Sequence, residues 1–136
     1  LIQWGINTDP TCLLCQTAPE SRDHLYYQCS FSWDLWQCVA QRCQFTAAQQ
    51  WTQTVTDLQS LPAAGSYTQL VLLAWQSTMY YLWAERNNRL HNSSFRSGDS
   101  IFLQIDSSIR NRISSRRDQN PGNSSRMLQM LFSTDH

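Results

Sequence analysis

The stretch CLLCQTAPESRDHLYYQC, residues 12–29, has the spacing Cys-x2-Cys-x8-His-x4-Cys. Cys12, Cys15, His24 and Cys29 are its candidate ligands. Three thiolates and one imidazole make a closed tetrahedral donor set, which suits one structural zinc ion. Two cysteines separated by two residues can turn back on one ion through a tight loop. The second pair must arrive from the other side, so a polar spacer, Pro19 to Asp23, separates it from the first. Plainer readings exist: cysteines as small buried apolar residues, a satisfied core histidine, or a disulfide pair. Four ligand types at knuckle-like spacing favour zinc over all three.

The neighbourhood of these ligands resembles a known family. Trp4-Gly5-Ile6, Cys12-Leu13-Leu14-Cys15, Glu20-Ser21, Asp23-His24-Leu25-Tyr26-Tyr27, Cys29, Phe31-Ser32 and Trp36 carry the resemblance. They look like the zinc-binding module of plant reverse-transcriptase-like proteins. That module is similar to the C-terminal part of LINE-type, non-LTR retrotransposon polyproteins. Trp83-Ala84-Glu85-Arg86-Asn87 resembles a Trp-x-Glu-Arg-Asn stretch that often follows it. The resemblance implies a module that helps a reverse transcriptase grip template RNA or target DNA in an intracellular, nuclear setting. The eight residues between Cys15 and His24 set it apart from the shortest retroviral-type knuckle.

The 136 residues suffice for one domain, or for a small zinc module with a helical companion. The chain begins at Leu1 rather than Met, which reads as a piece of a longer product. No apolar run is long enough to suggest a membrane span. Five cysteines, an odd number without a visible secretory leader, favour a reduced compartment and metal. Cys38 and Cys43 lie outside the motif and read as small apolar residues of a helix.

Formal charge is zero and every basic residue is arginine. Residues 1–84 hold two Arg and five acids; residues 85–136 hold eight Arg and five acids. A polyanion would therefore favour the second half. The expected contacts with single-stranded RNA or DNA are phosphate contacts from Arg22, Arg86, Arg89, Arg110, Arg112, Arg116 and Arg117. Tyr26 and Tyr27 would stack on bases if they face outward. Each arginine has a plainer role available, as a solvated residue, an ion-pair partner of Glu85, or a helix terminator.

The pattern predicts a mainly α fold: a small CCHC zinc module followed by a bundle of about four helices. Helix one is expected at about 31–44, capped by Ser30 or Ser32, and helix two at about 46–60 after Thr46. Residues 61–66 read as a linker. This divides the chain into a zinc module (1–60), a helical companion (61–118) and a tail (119–136). Ser66 would cap a third helix over 67–91. In that helix Leu72, Trp75, Met79, Leu82 and Trp83 form an aromatic-rich stripe, read as core rather than as a stacking platform. The fourth helix, about 99–115, repeats isoleucine at 101, 105, 109 and 113. Residues 118–125 read as loop, with a short terminal helix around Met127–Phe132. Trp4 is expected to cover the metal loop.

Catalytic signatures are missing from the sequence. A four-ligand zinc leaves no open position for water. There is no His-x-Glu with a downstream Cys-x2-Cys, no Gly-rich phosphate loop and no Gly-x-Ser-x-Gly turn. No Asp-Asp pair is present to hold polymerase metals, so that chemistry would belong to an upstream reverse transcriptase domain. The expectation is a non-enzymatic binding module with no small-molecule substrate. The alternatives are a protein-docking domain or a degenerate retroelement remnant.

Overall fold

The computed structural model describes residues 11–115 and 121–132. Five α-helices follow a π-helical turn at His24–Gln28: α1 Ser30–Arg42, α2 Trp51–Gln59, α3 Ser66–Asn92, α4 Gly98–Ser115 and α5 Pro121–Phe132. No strand occurs among the described residues; one isolated bridge pairs Thr11 with Pro19. The mainly α fold follows the sequence pattern, with the cysteine–histidine cluster at its N-terminal end.

The 27-residue α3 is the spine. At 1.5 Å per residue it runs about 40 Å. Helix α1 packs on α3 and α4, α4 packs on α3, and α5 closes the far side against α3 and α4. The π turn lies against α1 and α3. Each contact buries apolar residues at helical spacing: Leu35, Trp36 and Val39 from α1, Leu70, Val71, Ala74 and Leu82 from α3, and Met127 and Leu131 from α5. All four isoleucines of α4 are buried. One Arg–carboxylate pair staples three helices. Arg42 of α1 donates to Asp106 of α4 at 3.0 and 2.9 Å and to the Leu131 carbonyl of α5 at 2.7 Å.

Helix limits differ from expectation where local chemistry intervenes. Helix α2 begins at Trp51, not near residue 46. Gln44 turns into the left-handed region at φ 58°, and Phe45 folds back on Trp36 at 6.1 Å between ring centroids. The chain then runs in irregular conformation until Gln50. The N-cap of α3 is Gly65 at φ 130°, where a side chain would be strained. Ser66 is instead the first helical residue, and its hydroxyl bonds to Asn123 of α5. The start of α4 matches its reading: the Ser100 amide donates to Ser97 Oγ at 3.1 Å. Residues 121–125, read as loop, form the first turns of α5, with Pro121 at a helix start where a missing N–H costs nothing. The readings of Trp4 and of residues 118–120 lie outside the described residues.

The α3 stripe is rotated relative to its reading. Its buried line runs through Val71, Ala74, Thr78, Leu82 and Glu85. Trp75 is half-buried, while Trp83 is 48% exposed and its neighbour Tyr80 58% exposed. Packing against α1, α4 and α5 selects this line. Aromatic density alone does not locate it.

Candidate metal centre

The centre is built from two short segments. In the first, the Cys12 amide donates to the Ala18 carbonyl at 2.8 Å, and the Gln16 amide donates to the Cys12 carbonyl at 2.9 Å. Gln16 sits at φ 60°, which turns the chain tightly enough for Cys12 and Cys15 to face one point. The second segment is the π turn. The Cys29 amide donates to the His24 carbonyl at 2.7 Å, a span of five residues rather than four. That wider turn sends the His24 ring and the Cys29 sulfur to the same side while burying Leu25 and Tyr27. The Ser32 hydroxyl donates to the Leu25 carbonyl and locks the turn to the start of α1.

Donor atoms of Cys12, Cys15, His24 and Cys29 all lie within 4.8 Å of one another. Cys12 and Cys29 sulfurs are 3.9 Å apart, and Cys15 Sγ lies 3.2 Å from His24 Nε2. Tetrahedral zinc would separate two sulfurs by about 3.8 Å and a sulfur and a nitrogen by about 3.6 Å. The donors therefore fit one zinc ion, with His24 presenting Nε2. When bound, the ion would supply a structural cross-link between the two segments. The four protein donors complete its coordination.

The protein's own groups prepare the sulfurs. Cys12 and Cys29 are both fully buried and share a hydrogen bond. That bond draws the Cys29 thiol below its ordinary range against the opposing effect of burial, helped by the N–H dipoles of Ser32 and Phe31 at the start of α1. The same bond, with burial, pushes the Cys12 thiol up. Zinc binds thiolates, so loading the site would release the protons these sulfurs carry. The Thr17 hydroxyl donates to Cys15 Sγ at 3.3 Å.

A clasp from α3 holds the ligand loops from behind. Arg86 donates to Glu20, in the spacer between Cys15 and His24, at 2.8 Å. Arg89 donates to the carbonyls of Leu13 and Leu14, inside the Cys12–Cys15 loop, at 3.1 Å each. Glu85, fully buried, accepts from Arg89 Nε at 2.7 Å and from the Arg96 amide at 3.0 Å. Burial pushes the Glu85 carboxyl up, but the Arg96 amide and the Arg89 guanidinium outweigh it and hold it below its ordinary value. The Arg89 guanidinium also lies over the Phe31 and Phe95 rings at 4.8 and 4.9 Å. The Trp83–Asn87 stretch therefore contributes structure: two of its residues, Glu85 and Arg86, belong to the clasp.

Among the described residues, most of the expected nucleic-acid residues are engaged within the chain. Tyr27 is fully buried; its hydroxyl accepts from Trp75 Nε1 at 2.9 Å and its ring meets Trp51 edge-on at 5.7 Å. It faces inward, which corrects the stacking role read for it. Tyr26 is half-buried. Arg86 and Arg89 are spent on the clasp. Arg22 pairs with Asp23 at 3.2 Å and covers the Trp51 ring at 4.6 Å. Arg110 pairs with Asp106 at 2.7 Å. Arg112 is exposed on α4. Arg116 and Arg117 lie outside the described residues. Cys43 is buried and Cys38 exposed, and neither joins the cluster.

The sequence reading missed three features: the clasp's Glu20–Arg86 link, the π turn, and the exposed Tyr80–Trp83 pair. The resemblance at Trp83–Asn87 was a signal for the clasp. Nothing local in the sequence marks the π turn.

No curated protein and no solved structure matches the chain. Residues 1–36 match the family model for zinc-binding in reverse transcriptase, a match that takes in all four donors and ends within α1. With a Cys3His cluster able to hold one zinc ion, the N-terminal part of this chain is similar to the zinc-binding module of reverse-transcriptase-related proteins.

Proposed function

We propose that the chain is a zinc-organised, non-catalytic accessory module of a non-LTR retrotransposon reverse transcriptase, acting in the nucleus on single-stranded RNA or DNA. The observation that carries this reading is the closed donor set within the family match: four protein ligands leave no vacancy for a reacting water. The metal's work is then to shape a binding surface, and the polymerase chemistry belongs to the parent protein. The reading predicts micromolar or weaker affinity for an unstructured oligonucleotide. Fluorescence anisotropy with labelled oligo-U and oligo-dT tests it. Affinity should fall as salt rises from 50 to 200 mM, because each phosphate contact releases counterions, with a slope of about −0.7 per contact for single strands. No binding at low salt would refute it.

A protein-docking role is the second reading, and one observation favours it. Arg22, Arg42, Arg86, Arg89, Arg96 and Arg110 are all engaged by carboxylates of the chain. Internal pairing of most arginines lowers the charge available to a polyanion. Docking on the parent polymerase would show little salt dependence.

A further inference from the structure

A cleft of about 370 Å³ lies between α3 and α4. Its walls are Gln76, Ser77, Tyr80, Tyr81, Ser108 and Arg112, over Leu73. The Tyr81 hydroxyl and Ser108 Oγ, 2.7 Å apart, tie the two helices together at the cleft. Tyr80 stands 58% exposed beside it. One turn along α3, Trp83 is 48% exposed, its ring 6.2 Å from that of Tyr80 and tilted by 38°. These are two of the four large apolar side chains exposed among the described residues.

No carboxylate lines the cleft. Arg112 is exposed and, among the described residues, has no carboxylate partner, whereas Arg110 on the same helix is held by Asp106. Among the described residues, an arginine without a carboxylate partner thus lines the cleft together with the Tyr80 and Tyr81 rings and the amide and hydroxyl groups of Gln76, Ser77 and Ser108.

We propose that this cleft is a single-strand stacking site. Tyr80 and Trp83 take the faces of two successive bases, Arg112 takes a phosphate, and Gln76 and Ser77 bond to base edges or sugar hydroxyls. The volume is at the small end of ligand clefts, the scale of the one nucleotide on Tyr80 rather than of a protein interface, and Trp83, outside the lining but against the Tyr80 ring, takes the next base. Stacking platforms paired with a cation are how single strands are held without sequence preference. The site is distant in sequence from the metal ligands and shares no residue with them. It rests on the nucleic-acid reading above and gives that reading a location.

The test is anisotropy with labelled oligo-U and oligo-dT on the chain loaded with zinc, comparing wild type with Tyr80→Ala, Trp83→Ala, Arg112→Gln and Tyr80→Phe. All three positions are solvent-exposed, so far-UV circular dichroism and zinc content should stay at wild-type levels. Each alanine variant should weaken binding by about tenfold, since a base–aromatic stack is worth roughly that much or more. Tyr80→Phe, which keeps the ring, should bind as wild type. Arg112→Gln should also flatten the salt dependence by about one phosphate contact. Wild-type binding with all variants unchanged would overturn the site and leave the nucleic-acid reading standing. Absence of wild-type binding at low salt would overturn both. If sedimentation instead showed wild-type self-association abolished by Tyr80→Ala, without oligonucleotide binding, the surface would be a protein interface and the proposal would fail.

Discussion

Glu85 shows how one side chain can govern a site it never touches. Its carboxylate is fully buried, and what it holds, Arg89, holds the carbonyls between two metal ligands. Removing one partner of a buried pair typically costs about 3–5 kcal/mol, because the other charge is left unpaired. Glu85→Gln should therefore lower the urea midpoint substantially and weaken zinc affinity in a chelator competition. The pH dependence has a definite sign. The folded carboxyl lies below its ordinary value near 4.5, so the stabilisation is present above that pH and is lost as pH falls through the folded value. The wild-type advantage over Glu85→Gln should be full at neutral pH and shrink toward zero in acid. An advantage that grows in acid would contradict the assignment. Thiol reactivity gives a second prediction at this scale. Of the five cysteines, Cys12, Cys15 and Cys29 are the candidate ligands, Cys43 is buried with its thiol pushed up to about 12, and only Cys38 is exposed. Zinc-loaded protein should react rapidly with a thiol reagent at one site, and denatured, chelated protein at all five.

Among the elements, α4 was the most legible. Isoleucine every fourth residue leaves one way to bury the helix, and all four are buried. Ile105→Ala should cost about 3 kcal/mol in equilibrium unfolding, the usual range for a core truncation. The ligand segment was legible for a different reason: donor chemistry and spacing restrict it more than hydrophobicity does. Three elements were not legible in full. The π turn depends on where Cys29 must point, a tertiary demand with no local signature. The start of α2 depends on Phe45 finding Trp36. The orientation of α3 depends on which neighbours surround it, because a helix with apolar residues on most sides gives no single preferred face. Gly65 is a sharper case, since φ 130° admits little besides glycine. Gly65→Ala should destabilise by about 1 kcal/mol or more despite open space around the position.

Across the whole molecule, packing crosses the linker at residues 61–65. Helix α1 follows directly from Cys29 and lies on α3 and α4, while α3 returns the contact through Arg86 and Arg89. Metal binding and bundle stability are therefore coupled, and removing zinc should lower the melting temperature of the entire helical signal in a single transition. Separate transitions for the zinc module and the bundle would refute that coupling. The most direct test of the metal centre itself is zinc-edge X-ray absorption on the purified chain with its metal stoichiometry measured. One ion per chain, with three sulfurs at about 2.3 Å and one nitrogen at about 2.0 Å, is the result this structure requires. A chain that keeps its helices with no zinc, or a zinc ion ringed by oxygen ligands, would contradict it.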